Sequence, residues 1–127
     1  MRLILVRHAE AAPGEPDALR PLTENGRATA RRLGERLAEE HPDAVLCSPL
    51  LRARETAEPI ARAAGLTAEP DERLAPGATA ATLQEAIAGR GDTVVAVGHQ
   101  PDCSEILLDL AGESRPFAPG ATAVVDL

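Results

Sequence analysis

LILVRH, residues 3–8, is the stretch from which the rest of this chain is read. Its four consecutive aliphatic residues are too few for a helix and fit a strand buried on both faces. That strand stops at a guanidinium and an imidazole, Arg7 and His8. In α/β proteins, ligands bind outside the carboxyl ends of parallel strands. An Arg beside a His at such an end suits an anion together with a nucleophile or base.

Outward from this strand the pattern alternates. Residues 9–22 hold three prolines and a glycine and read as a loop. Thr23 caps an expected helix running to about Glu40, with Ala30, Leu33, Leu37 and Ala38 on one face, and His41-Pro42 ends it. Ala44 to Cys47 is a short strand. Ser48 is the expected N-cap of the next helix, with Pro49 in its first position. That helix carries Arg52 in its first turn and runs to Ala64, where Gly65 stops it. Leu66 to Glu69 reads as a strand and 70–78 as loop, and a helix starts at Thr79 or Thr82. Thr93 to Val97 is a second strong strand, closed by Gly98-His99. Pro101 then opens a helix that buries Ile106, Leu107 and Leu110 and stops at Gly112, and Thr122 to Leu127 is a last strand. Strands alternating with helices predict an α/β domain with a mostly parallel sheet.

The chain has 127 residues, of which 44% are hydrophobic, so one domain with a real core is expected. That core is aliphatic, because Phe117 is the only aromatic residue. A net charge of −7 and the lack of stacking platforms argue against a nucleic-acid partner. No apolar run approaches a membrane span, and residues 1–6 lack the pattern of a signal peptide, so a cytoplasmic protein is expected. Cys47 and Cys103 then read as free thiols. There is no Lys, and every basic side chain is Arg, the better fork for a phosphate.

Three strand ends share a character. The first ends at Arg7-His8, the second at Cys47-Ser48 before a helix bearing Arg52, and the fourth at Gly98-His99 before another helix. In a parallel sheet these ends lie on one edge, so Arg7, His8, Arg52 and His99 converge from distant parts of the chain. Two helix N-termini at the same edge add partial positive charge. The set suits a dianion such as a phosphoryl group.

With these residues in view, the chain resembles the histidine phosphatase superfamily, the phosphoglycerate mutase-like group, and most of all its small SixA-type phosphohistidine phosphatases. The resemblance is carried by VRHAEA at 6–11, RPLTENG at 20–26, SPLLRARETA at 48–57 and VGHQP at 97–101, in the family's order. Ala9 stands where the family usually has glycine. The resemblance implies a three-layer α/β/α fold, a single histidine phosphatase domain over residues 1–127, and no metal or other cofactor. It implies His8 as the nucleophile that takes the phosphoryl group, with Arg7, Arg52 and His99 cradling the oxygens. Larger relatives supply an acidic proton donor from an insertion that this chain lacks, which leaves Glu10 and Glu72 as candidate acids. A phosphorylated protein of the histidine phosphotransfer type suits the open site expected of so short a chain. The alternatives are a small phosphate ester, such as a sugar or nucleotide phosphate, and a phosphate-binding module without turnover. Arg20 in the 9–22 loop is a candidate substrate contact. Gln100 is a second, although a structural role suits it better.

Rival chemistries fail on spacing. A cysteine phosphatase needs Arg six residues after its Cys, and position 53 is Ala53 while position 109 is Asp109. HAE at 8–10 lacks the downstream Cys pair of a zinc deaminase. No glycine-rich phosphate loop of the nucleotidase kind is present.

Overall fold

A computed structural model describes every residue from Met1 to Leu127. Five strands, β1 (Arg2–Arg7), β2 (Ala44–Cys47), β3 (Ala68–Pro70), β4 (Thr93–Gly98) and β5 (Thr122–Asp126), form one sheet in the order β3-β2-β4-β1-β5. All neighbours are parallel except β5, which runs antiparallel to β1.

Four helices cover the sheet: α1 (Glu24–Ala38), α2 (Leu51–Ala63), α3 (Ala80–Ile87) and α4 (Asp102–Ala111). Side chains alternate across the sheet with the two-residue period of a strand. Ile4, Val6, Val45, Cys47, Val95 and Val97 pack with Leu33 and Leu37 of α1 and with Ala57 and Ile60 of α2. Leu3, Leu5, Leu46, Val94 and Ala96 pack on the other face with Leu83 and Ile87 of α3 and with Ile106 and Leu107 of α4. The protein is therefore a three-layer α/β/α structure with a mostly parallel sheet, as expected. Leu110, expected inside, is only partly buried at the margin of the second layer.

The caps follow the sequence at most helix ends. Thr23 accepts a hydrogen bond from Gly26 N at the start of α1. Thr79 and Thr82 form a reciprocal capping box at α3, so the helix begins at the first of the two alternatives. Gly65 and Gly112 take positive φ where α2 and α4 stop. Some boundaries differ: β3 begins at Ala68 rather than Leu66, and α2 starts at Leu51, two residues later than the Ser48-Pro49 pair suggests. Ser48 Oγ does accept a hydrogen bond from a nearby backbone N–H, that of Leu50, but its other partner is His99. The serine serves the site and closes a turn before the helix begins.

Candidate active site

The register brings the site residues level. Arg7 lies opposite Gly98, and Cys47 lies opposite Val97, so His8, Ser48 and His99 follow directly on three adjacent parallel strands. Backbone bonds from His8 N to Gly98 O and from Ser48 N to Val97 O, both 3.0 Å, continue the ladder past the last strand residues. The His8 and His99 rings lie 5.3 Å apart, centroid to centroid. Arg52 enters from the first turn of α2 and is buried, as are both histidines. The four residues predicted to meet are thus together at one sheet edge.

Each is held by a specific contact. His8 Nδ1 lies 2.7 Å from Ala9 O. A carbonyl oxygen only accepts, so Nδ1 carries the proton and Nε2 keeps its lone pair. Ala9 N in turn donates to Thr56 Oγ1 at 3.0 Å, and that hydroxyl donates to Arg52 O at 2.8 Å, tying the histidine's strand to α2. Arg7 donates through one terminal nitrogen to Phe117 O at 2.8 Å, and its buried Nε has no partner in the protein. His99 Nε2 lies 2.7 Å from Ser48 Oγ. With that hydroxyl donating to Nε2, the His99 proton sits on Nδ1, a buried nitrogen without a protein acceptor. Unpaired buried donors at a sheet edge are suited to an anion's oxygens.

Both imidazoles are neutral at pH 7. Burial pushes His8 down to about 4; the Ala9 carbonyl opposes the shift, and the charges of Arg52, Arg7 and Arg20 deepen it. His99 is also pushed down to about 4, chiefly by burial and then by His8 and Arg52, with Asp17 acting the other way. A neutral imidazole such as His8 keeps a lone pair free for nucleophilic attack at physiological pH, and a neutral His99 offers a hydrogen bond rather than a positive charge. The thiols are no rivals. Cys47 and Cys103 are free and buried, and burial pushes each up to about 12.

The 9–22 loop does more than the sequence suggests. It carries a short 3-10 turn at Asp17–Leu19, and Asp17 closes on two arginines. Arg52 donates to Asp17 O at 2.9 Å and to Asp17 Oδ2 at 3.2 Å. Arg20 donates to Asp17 Oδ1 at 3.1 Å and to Ala12 O at 2.9 Å. The hydrogen bond from Arg20, reinforced by Arg52, holds the Asp17 carboxyl below the usual carboxylate range. Arg20 is therefore at the site, in an ion pair within its own loop.

The remaining candidates lie differently. The Glu10 carboxylate accepts from Thr23 Oγ1 at 2.7 Å and ties the loop to the start of α1. Glu72 is exposed on a second 3-10 turn, Glu72–Leu74. The Gln100 carboxamide is engaged on Ser104, accepting from its backbone N and donating to its hydroxyl. No cluster of three His, Cys, Asp or Glu side chains is arranged to hold a metal ion. Asp17, Ser48 and Thr56 escaped the sequence reading. For Asp17 the available signal was its place three residues before Arg20, an ion-pair spacing.

Arginines around a neutral, buried imidazole are equipment for taking a phosphoryl group onto nitrogen. Fold and site together define a phosphatase of the histidine-nucleophile class. Residues 3–79 match the histidine phosphatase superfamily (branch 1), and the chain belongs to that superfamily. An uncharacterized protein of Picosynechococcus sp. is 40% identical over 116 residues, covering 83% of this chain and 70% of the relative. The structure of the protein histidine phosphatase SixA complexed with tungstate is 31% identical, with a TM-score of 0.86, and the match covers 100% of this chain and 88% of that one. Phosphoserine phosphatase 1 of Hydrogenobacter thermophilus is 36% identical over 83 residues, so the match spans 58% of this chain and only 37% of that relative.

Proposed function

We propose that this phosphatase removes the phosphoryl group from phosphohistidine on a protein, with His8 as the nucleophile. The observation that carries the nucleophile is the Nδ1–Ala9 hydrogen bond, which leaves Nε2 unprotonated among three arginines. The likeness to SixA over nearly all of both chains supports the substrate class.

The reaction runs in two displacements. His8 Nε2 attacks phosphorus in line, an N–P bond forms, and the substrate's N–P bond breaks with its electron pair returning to the leaving imidazole. Arg7 and Arg52 hold the equatorial oxygens as charge shifts across the phosphoryl group, and His99 donates from its buried ring. Water then attacks the phosphorylated His8 from the vacated side. Its oxygen stays on phosphorus, its proton leaves to solvent or to phosphate, and Nε2 is released as a free base. The charge that the transfer needs is supplied by the arginines.

His8→Ala is expected to lose nearly all turnover of a phosphohistidine peptide while keeping the wild-type fold by circular dichroism; undiminished turnover would overturn the assignment. The second reading, a small phosphate ester as substrate, is favoured by the match to phosphoserine phosphatase 1. Comparing kcat/KM for a phosphohistidine protein with a panel of sugar, nucleotide and amino-acid phosphates separates the two. The phosphohistidine protein is expected to lead by at least about 10-fold, roughly the effect of one charged hydrogen bond at the leaving group.

A further inference from the structure

The mechanism leaves the Asp17–Arg20 ion pair at the site without a task. The Asp17 carboxylate is bound by Arg20 through one oxygen and by Arg52 through the other. Its side chain is 61% exposed, whereas that of Arg52 is 9% exposed, so the carboxylate stands at the mouth of the cradle and the guanidinium in its floor. His8 is buried as well, within reach of the Arg52 charge. In-line displacement puts the leaving group on the side of phosphorus opposite the nucleophile. A nucleophile in the buried wall therefore sends the leaving group toward the mouth, where Asp17 sits.

A carboxylate there is badly suited to an alkyl ester. Two arginines keep it ionised, so it has no proton to give to a departing alkoxide, and its charge opposes an anionic leaving group. Phosphohistidine poses the reverse demand. When the ring is protonated on the nitrogen remote from phosphorus, breaking the N–P bond returns an electron pair to the ring and releases neutral imidazole. No proton has to move in that step. What helps is an acceptor that holds the remote N–H and stabilises the protonated ring, and an ionised carboxylate is such an acceptor.

Resting on the phosphohistidine reading above, we propose that Asp17 is a specificity-determining residue, whose carboxylate accepts a hydrogen bond from the ring N–H of the phosphohistidine leaving group and so selects phosphoramidates over phosphate esters. Arg20 is then a positioning residue. Its bonds to Ala12 O and Asp17 Oδ1 fix the turn that presents the carboxylate. Neither the Glu10 nor the Glu72 carboxylate is needed as a proton donor for this substrate.

The test compares a phosphohistidine peptide with p-nitrophenyl phosphate, whose leaving group needs neither proton nor acceptor. Asp17→Asn is expected to lower kcat/KM on the peptide by about 10- to 100-fold, the range of a hydrogen bond to a charged group, with a clearly smaller loss on the aryl phosphate, where only the Asp17–Arg52 bond is disturbed. Asp17→Glu, which keeps the carboxylate, is expected to recover most of the peptide activity. Equal losses on both substrates, or a peptide rate within about threefold of wild type in Asp17→Asn, would overturn the proposal; that threefold is less than the effect of one ordinary hydrogen bond. Wild-type protein that turns over the aryl phosphate but not the peptide would instead overturn the substrate reading on which the proposal rests.

Discussion

At the scale of single residues, position in the sheet decides chemistry. Arg7, His8 and His99 were legible because each closes or follows an apolar strand, and Arg52 because it opens the helix after another. Ser48, Thr56 and Asp17 were not. Their roles depend on which side chain a hydroxyl or carboxylate reaches across the chain, and the distances in sequence are 51 residues for Ser48 and His99, 47 for Thr56 and Ala9, and 35 for Asp17 and Arg52. Ser48 also carried a competing local signal, a serine before proline, which reads as a helix cap. Arg52→Lys keeps the charge but loses the planar fork, and kcat/KM on any phosphate substrate is expected to fall about 100-fold or more. Ser48→Ala removes the partner of His99 Nε2, and steady-state kinetics are expected to show a loss of about 5- to 10-fold. The acid limb of turnover also belongs to this scale. With His8 attacking as the neutral base, as proposed, activity on an aryl phosphate is expected to be lost as pH falls through about 4, the value to which burial and the arginines bring it. A profile that instead breaks near the ordinary histidine value of 6.5 would show an imidazole that is not desolvated.

At the scale of elements, two glycines set how closely α1 approaches its neighbours. A Cβ on Gly34 would stand 2.7 Å from Pro59 O of α2, and one on Gly26 would stand 2.1 Å from Glu10 O, two residues beyond His8. Both contacts are with backbone, which cannot swing aside as a flexible side chain would. Gly34→Ala is expected to destabilise the fold by about 1–3 kcal/mol in urea melts, the usual cost of overpacking. Gly26→Ala is expected to lower kcat/KM on an aryl phosphate as well, because the displaced backbone continues directly into the segment that carries His8. The helices and strands were readable from periodicity and caps. The 9–22 loop was not, since its prolines and small residues carry no period, and its turn at Asp17–Leu19 is fixed by contacts with α2 and within the loop.

At the scale of the whole molecule, an acidic chain concentrates positive charge at one sheet edge. The net charge of −7 argues against a broad polyanion-binding surface, while the fold gathers Arg7, Arg20 and Arg52 around two neutral histidines. This arrangement has a signature in stability. Both histidines have folded values near 4, below the 6.5 of an unperturbed imidazole, so the unfolded chain binds protons first as pH falls. Their contribution to stability is intact above about 6.5, declines as pH drops toward 4, and falls no further below that. In thermal melts, the stability of wild type relative to a His8→Ala, His99→Ala double variant is expected to fall over this window as pH is lowered. A constant gap between them would contradict the desolvated pair.

The most direct measurement is a covalent trap on the intact chain. Wild-type protein is mixed with a phosphohistidine peptide or an activated phosphate, quenched in base, and mapped by mass spectrometry. The structure leads us to expect an acid-labile phosphoryl group on His8 and nowhere else, absent from His8→Ala. Phosphate recovered on another residue, or full turnover by His8→Ala with no trapped intermediate, would contradict a histidine nucleophile at the end of β1.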